Sequence, residues 1–167
     1  MTARVDVLVN TAPLEEAVRS RAPGRYDAVR AVLDERTAEQ IEKAVRHTLA
    51  DAAVETAEVS VTLLDDEAIR AMNRDYLDRD RVTDVIAFTL SSGEDSAGLL
   101  GDVYLGAEQA IRQAGELSVP VPEELMRLAI HGTLHVLGHD HPEGTGRSES
   151  AMFRVQERLL KDVLATG

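Results

Sequence analysis

The chain has 167 residues, 44% apolar and 29% charged, a balance that suits one globular domain and excludes a disordered chain. Its net charge of −12 disfavours a nucleic-acid partner at first sight. That excess lies in residues 37–67 and 93–126 alone, with two basic against eight acidic side chains and one against seven.

The absence of cysteine excludes disulfide scaffolds, thiolate metal sites and cysteine catalysis. Val5 to Val9 alternates like a strand, and residues 13–36, broken by Pro13, Pro23 and Gly24, have room for one or two short helices. Thr37 and Gln40 have the spacing of a capping box, and Ile41, Val45, Thr48 and Leu49 then recur at helical spacing to about Ala53. Val59 to Leu64 is a strand. Asp65 or Asp66 caps the next helix, in which Ile69, Met72, Asn73 and Tyr76 share a face. Two short strands follow, Val85–Leu90 and Leu99–Leu105, joined across a loop at Ser91–Ala97. Helices are expected from Ala107 to Gly115, from Pro122 to about Leu137, and from Ser148 to Leu164, the last with Met152, Val155, Leu159 and Val163 inward.

This order predicts an α+β fold: one domain over residues 1–167, with a small mixed β-sheet packed with helices and a histidine-bearing helix lining a metal cleft. Residues 1–36 are set apart as a variable N-terminal portion. No run approaches the ~20 apolar residues of a membrane span, and the first residues lack the apolar stretch of a signal peptide, so no membrane association and a cytoplasmic location are expected.

Four of the five histidines fall in the run His131-Gly-Thr-Leu-His135-Val-Leu-Gly138-His139-Asp140-His141. Positions i and i+4 of a helix share a face, so His131 and His135 can address one ion. Gly138 suits a helix stop, after which His139 or His141 can supply a third imidazole. Three neutral imidazoles suit zinc and leave a fourth position for water, the form of a catalytic site. Zinc brings the pKa of bound water to roughly 7 and polarises a carbonyl or phosphoryl oxygen. The spacing also matches that of metzincin proteases, but the position of their general-base Glu is Gly132.

The run resembles the signature of the YbeY family of metal-dependent endoribonucleases acting in ribosomal RNA maturation. The family pattern is His-Gly-x-Leu-His-Leu-x-Gly-Tyr-Asp-His, from which only Val136 and His139 depart. Upstream, Asn73-Arg-Asp-Tyr76, Asp80 and Thr83-Asp-Val-Ile-Ala-Phe88 resemble a second family block, and Leu100-Gly-Asp102 resembles its Leu-Gly-Asp strand. The resemblance implies a zinc-dependent single-strand endoribonuclease in ribosome biogenesis, with one zinc per chain. Its partners would be single-stranded RNA, ribosomal RNA and the small ribosomal subunit. It implies His131, His135 and His141 as ligands, with His139 a solvent-facing neighbour and Asp140 accepting a hydrogen bond from a ligand imidazole.

The family has Arg directly after its Tyr, where this chain has Leu77. Arg79 is the expected replacement as catalytic and phosphate-binding cation, with Arg81 beside it as a second substrate contact; Arg74 and Arg127 are further candidates for a basic groove. Ala87 and Thr89 also depart from the family's Ser and Pro. Asp102, Thr83 and Asp84 have structural readings as hydrogen-bonded strand and turn residues, and His47 a surface one. A metzincin-like protease lacking its Glu base and a non-catalytic ribosome-assembly factor are the competing readings.

Overall fold

The computed structural model describes residues 3–20, 24, 26–93, 98–139 and 150–166. The described chain runs β1 (Arg4–Asn10), α1 (Ala12–Ser20), α2 (Asp27–Arg30), α3 (Glu35–Asp51), β2 (Thr56–Leu64) and α4 (Asp66–Leu77). It continues through β3 (Val85–Ser92), β4 (Leu99–Gly106), α5 (Ala107–Leu117), α6 (Val121–Val136) and α7 (Ala151–Ala165). The result is the expected small α+β domain. Four strands form one mixed sheet in the order β1-β2-β4-β3. β1 pairs parallel with β2, β2 parallel with β4, and β3 antiparallel with β4.

Strand alternation assigns the two faces. Val59, Val61, Gly101, Val103 and Leu105 turn one face toward the helices, and Val5, Val7, Val9, Val85 and Ala87 pack along the same core. Against this face lie α3, α5 and α6, with α7 packed outside α3 and α6. On the sheet's other side α4 closes a smaller cluster, in which Ile69 meets Leu64, Ile86 and the ring of Tyr104.

The N-terminal portion is built into this core. β1 extends the sheet, Leu14 and Val18 of α1 are buried, and the fully buried Tyr26 donates its hydroxyl to Asp65 Oδ2 at 3.2 Å. Setting residues 1–36 apart therefore does not correspond to a structural boundary. Two element starts also differ from expectation. α3 is capped by Asp34, whose carboxylate accepts from Thr37 N–H at 2.7 Å, while Thr37 itself is buried in the helix. β2 begins at Thr56, because its first residues Thr56, Ala57 and Glu58 pair with Arg4, Val5 and Asp6 at the start of β1. The choice between Asp65 and Asp66 resolves to Asp65, which accepts from Ala68 N–H at 3.0 Å. Among the described residues no helix is long and apolar enough to cross a membrane.

Candidate functional site

α6 is the helix on which the histidines stand, and nearly every residue from Glu124 to Val136 is buried. It approaches the sheet closely because glycine occupies both surfaces. A Cβ on Gly132 would lie 2.5 Å from Val103 Cγ1, and one on Gly101 only 2.3 Å from Val136 Cγ1. Gly132 therefore faces the sheet. A carboxylate placed there would enter the apolar core, so the position is unsuited to a zincin-type base.

α6 ends sharply at Val136. Gly138 takes φ +95°, and its N–H donates to the His135 carbonyl at 2.9 Å, while His139 N–H reaches the Leu134 carbonyl at 2.9 Å. These two bonds form a Schellman motif, which satisfies the last carbonyls and turns the chain back. His139 is exposed.

His131 and His135, one turn apart, bring their Nε2 atoms to 3.1 Å. Two ligands of a tetrahedral zinc with bonds of about 2.0–2.1 Å stand roughly 3.3 Å apart, so this pair fits two corners of such a site. His131 is buried, and its Nδ1 lies 2.6 Å from Gln156 Oε1 on α7. A carbonyl oxygen only accepts, so this contact favours a proton on Nδ1, and a neutral ring then has its lone pair on Nε2. That lone pair is directed toward His135 Nε2, where a cation would be held. Among the described residues no group of three or more His, Asp or Glu is placed to hold a metal. His141 and Asp140 lie outside the described residues.

Behind His131 runs a chain of polar side chains. Gln156 Nε2 donates to Glu157 Oε2 at 3.1 Å, and Arg127 Nε reaches both oxygens of Glu157 at 3.0 and 3.2 Å. Arg127 also pairs with the buried Glu124. Burial pushes the Glu124 carboxyl above the usual carboxylate range, against the pull of Arg127. Burial would lower Arg127, but its two carboxylates outweigh that and raise it. Arg127 is therefore a structural cation held between two carboxylates and not a groove arginine.

Arg79 and Arg81 are exposed on the connection from α4 to β3. Asp78 in the left-handed conformation ends α4. Arg79 N–H then donates to the Asn73 carbonyl at 3.2 Å, Arg81 N–H to the Arg79 carbonyl at 3.0 Å, and Asn73 Nδ2 to the Arg81 carbonyl at 2.9 Å. The buried Asn73 thus pins the loop from both sides. Asp80 pairs with Arg70 at 2.8 Å, and that guanidinium holds its carboxyl below the usual range. Arg74 pairs with Asp75 at 3.0 Å, and Leu77 is exposed. Three of the remaining polar residues have side-chain partners. Asp102 accepts from Ser60 Oγ at 2.6 Å, Asp84 from Gln113 Nε2 at 3.1 Å, and His47 meets Asp162 at the surface.

Gln156 escapes motif reading because it belongs to no signature. Its sequence signal is a polar residue on the inward stripe of α7, four positions after Met152 and three before Leu159, both buried.

A family model described as Endoribonuclease YbeY matches residues 26–164, beginning inside the portion that the sequence sets apart. The chain is 46% identical over 133 residues to the Endoribonuclease YbeY of Syntrophotalea carbinolica, covering 73% of this chain and 89% of that protein. It is 44% identical over 140 residues to the protein of the same name from Geobacillus kaustophilus, covering 76% and 88%. The solution structure of a Thermotoga maritima protein aligns over 98% of this chain and 91% of that one, with a TM-score of 0.54 and 23% identity, a likeness of fold. The matched stretch carries His131 and His135, the loop arginines and the polar chain behind His131, and on that match the chain belongs to the YbeY endoribonuclease family.

Proposed function

We propose that this chain is a zinc-dependent endoribonuclease that cleaves single-stranded RNA in ribosomal RNA maturation and ribosome biogenesis. In this reading it works in the cytoplasm, meets the small ribosomal subunit, and acts as one unit over residues 1–167. The observation that carries the reading is the pair of Nε2 atoms at 3.1 Å, held on a buried helix in a chain of this family.

One zinc per chain would be held by His131, His135 and His141, with Asp140 accepting from one of the imidazoles. When bound, it would supply charge stabilisation at a phosphoryl oxygen and a water of lowered pKa. The protein's own contribution is placement. α6 fixes two imidazoles on one face, and in this reading Arg79, with Arg81 beside it, would meet the phosphate from the Asn73-pinned loop. The acidic body keeps RNA affinity modest and salt-sensitive. The protease reading is disfavoured by Gly132, which faces Val103 and has no room for a base.

The test compares wild type with His135→Ala on end-labelled single-stranded RNA after chelation, with zinc added back. Wild type should recover cleavage with zinc and the variant should not. Equal cleavage by both, or none by zinc-loaded wild type, rejects the reading; in the latter case, retained ribosome maturation by the variant in cells supports the non-catalytic assembly factor.

A further inference from the structure

Gln156 stands on a different helix from the histidines, yet it makes the shortest described contact to either of them, 2.6 Å from its Oε1 to His131 Nδ1. It is 5% exposed, so water does not compete for this bond. The direction of its amide is set from behind. The Nε2 faces Glu157 Oε2 at 3.1 Å, and Arg127 holds that carboxylate. Flipping the amide would turn its oxygen onto an acceptor-only carboxylate, so the contact to Glu157 fixes which end faces His131. Arg127 is in turn held by Glu124, a residue two turns before His131 on the same helix. The polar chain therefore starts on α6, crosses to α7 and returns to α6 at the imidazole.

We propose that Gln156 is a positioning residue for His131: it locks the imidazole as the Nδ1–H tautomer and aims the Nε2 lone pair at the point where His135 Nε2 converges. This rests on the metal reading above and adds to it a partner outside the histidine signature. The chemistry is specific. A ligand imidazole must present an unprotonated nitrogen, and an acceptor on its other nitrogen secures this before the ion arrives. An amide does so without adding a charge beside Glu157, whereas a carboxylate would add one.

The test has two readouts that do not depend on RNA cleavage. The first is 15N NMR of the imidazoles in metal-free protein, in which wild-type His131 should be protonated at Nδ1 and bare at Nε2. The second is zinc affinity by competition with a chromophoric chelator. Gln156→Leu should lose the fixed tautomer and weaken zinc by about 10–100-fold, the range for loss of such an outer partner. Gln156→Glu, which keeps an acceptor toward Nδ1 but replaces the donor facing Glu157 with a charge, should preserve the tautomer and bind zinc more tightly than Gln156→Leu. Zinc affinity unchanged in folded Gln156→Leu, or wild-type His131 protonated at Nε2, overturns the proposal. The wild-type spectrum decides even where Gln156→Leu does not fold. If tautomer and affinities behave as stated but no RNA is cut, the nuclease reading fails and the positioning role stands.

Discussion

Arg79 and Leu77 stand two residues apart at the end of α4, and both are exposed, so a charge can be moved between them without disturbing the core. A guanidinium beside a developing phosphoryl charge stabilises it, and loss of a charge-assisted contact costs roughly 1.5–3 kcal/mol, about ten- to a hundredfold in rate. Arg79→Ala should slow RNA cleavage by that factor with unchanged zinc content and melting temperature. Leu77→Arg in the same background should restore part of it. Unaltered cleavage by Arg79→Ala would remove this arginine from the mechanism. At this scale the site was legible where chemistry and spacing coincide. His131 and His135 are a helical i, i+4 pair in any reading, and the structure joins them. Arg127 and Gln156 were not legible, because their roles depend on which partner a neighbouring helix supplies. Arg127 reads from the sequence as a groove cation but is locked by Glu157 and Glu124; Gln156 carries no motif.

The packing of α6 against β4 depends on two missing side chains, Gly132 on the helix and Gly101 on the strand. A methyl group at Gly132 would sit 2.5 Å from Val103 Cγ1 and 3.1 Å from Val85 Cγ2, so the helix must lift or the valines must move. Gly132→Ala should lower stability by about 1–3 kcal/mol, as overpacking does, despite alanine's better helix propensity. Val103→Ala should be less harmful in that background than in wild type, and a double-mutant cycle in urea measures the coupling. Purely additive effects would contradict the close approach. Helices and strands were readable wherever periodicity is strong, as in α7, where Met152, Leu159 and Val163 are buried as expected. Their starts were less so. Asp34 and Thr37 are both good caps three residues apart, and only the packing of Thr37 into the core selects Asp34.

Across the molecule, carboxylates at several helix ends and seams are held in their charged form. Asp34 is held below its ordinary value of 3.8 chiefly by the Thr37 backbone N–H, Asp51 by Arg158 and Asp80 by Arg70. A depressed carboxylate stabilises the fold above its unfolded value and ceases to do so as pH falls through its folded value. Glu124 runs the other way: its raised value favours the fold at low pH, and that contribution is lost as pH rises through it. The aspartates are the more numerous, so the urea midpoint should change little between pH 7 and 5 and fall steadily below about pH 4. Asp51 forms a two-bond seam with Arg158 between α3 and α7, both contacts at 3.0 Å. Asp51→Asn should therefore lower the midpoint slightly at pH 7, by up to ~1 kcal/mol for a partly exposed pair, and flatten the acid limb. A midpoint that rises on acidification to pH 3 would contradict this balance. The α+β class was readable at this scale from the order of elements alone, but the integration of residues 3–20 was not, because β1 earns its place through long-range pairing with β2.

The strand order has a consequence for the protein's own synthesis. β3 has one neighbour in the sheet, β4, which follows it in the chain. A nascent chain that has emerged only as far as Ser92 can pair β1 with β2 in parallel but leaves the Val-Ile-Ala-Phe-Thr-Leu strand with neither of its hydrogen-bonding edges satisfied. Unpaired strands of this composition are prone to join other chains. Until residues 99–106 have also emerged, a stalled or truncated product therefore exposes an unpaired β3 to aggregation and to capture by chaperones.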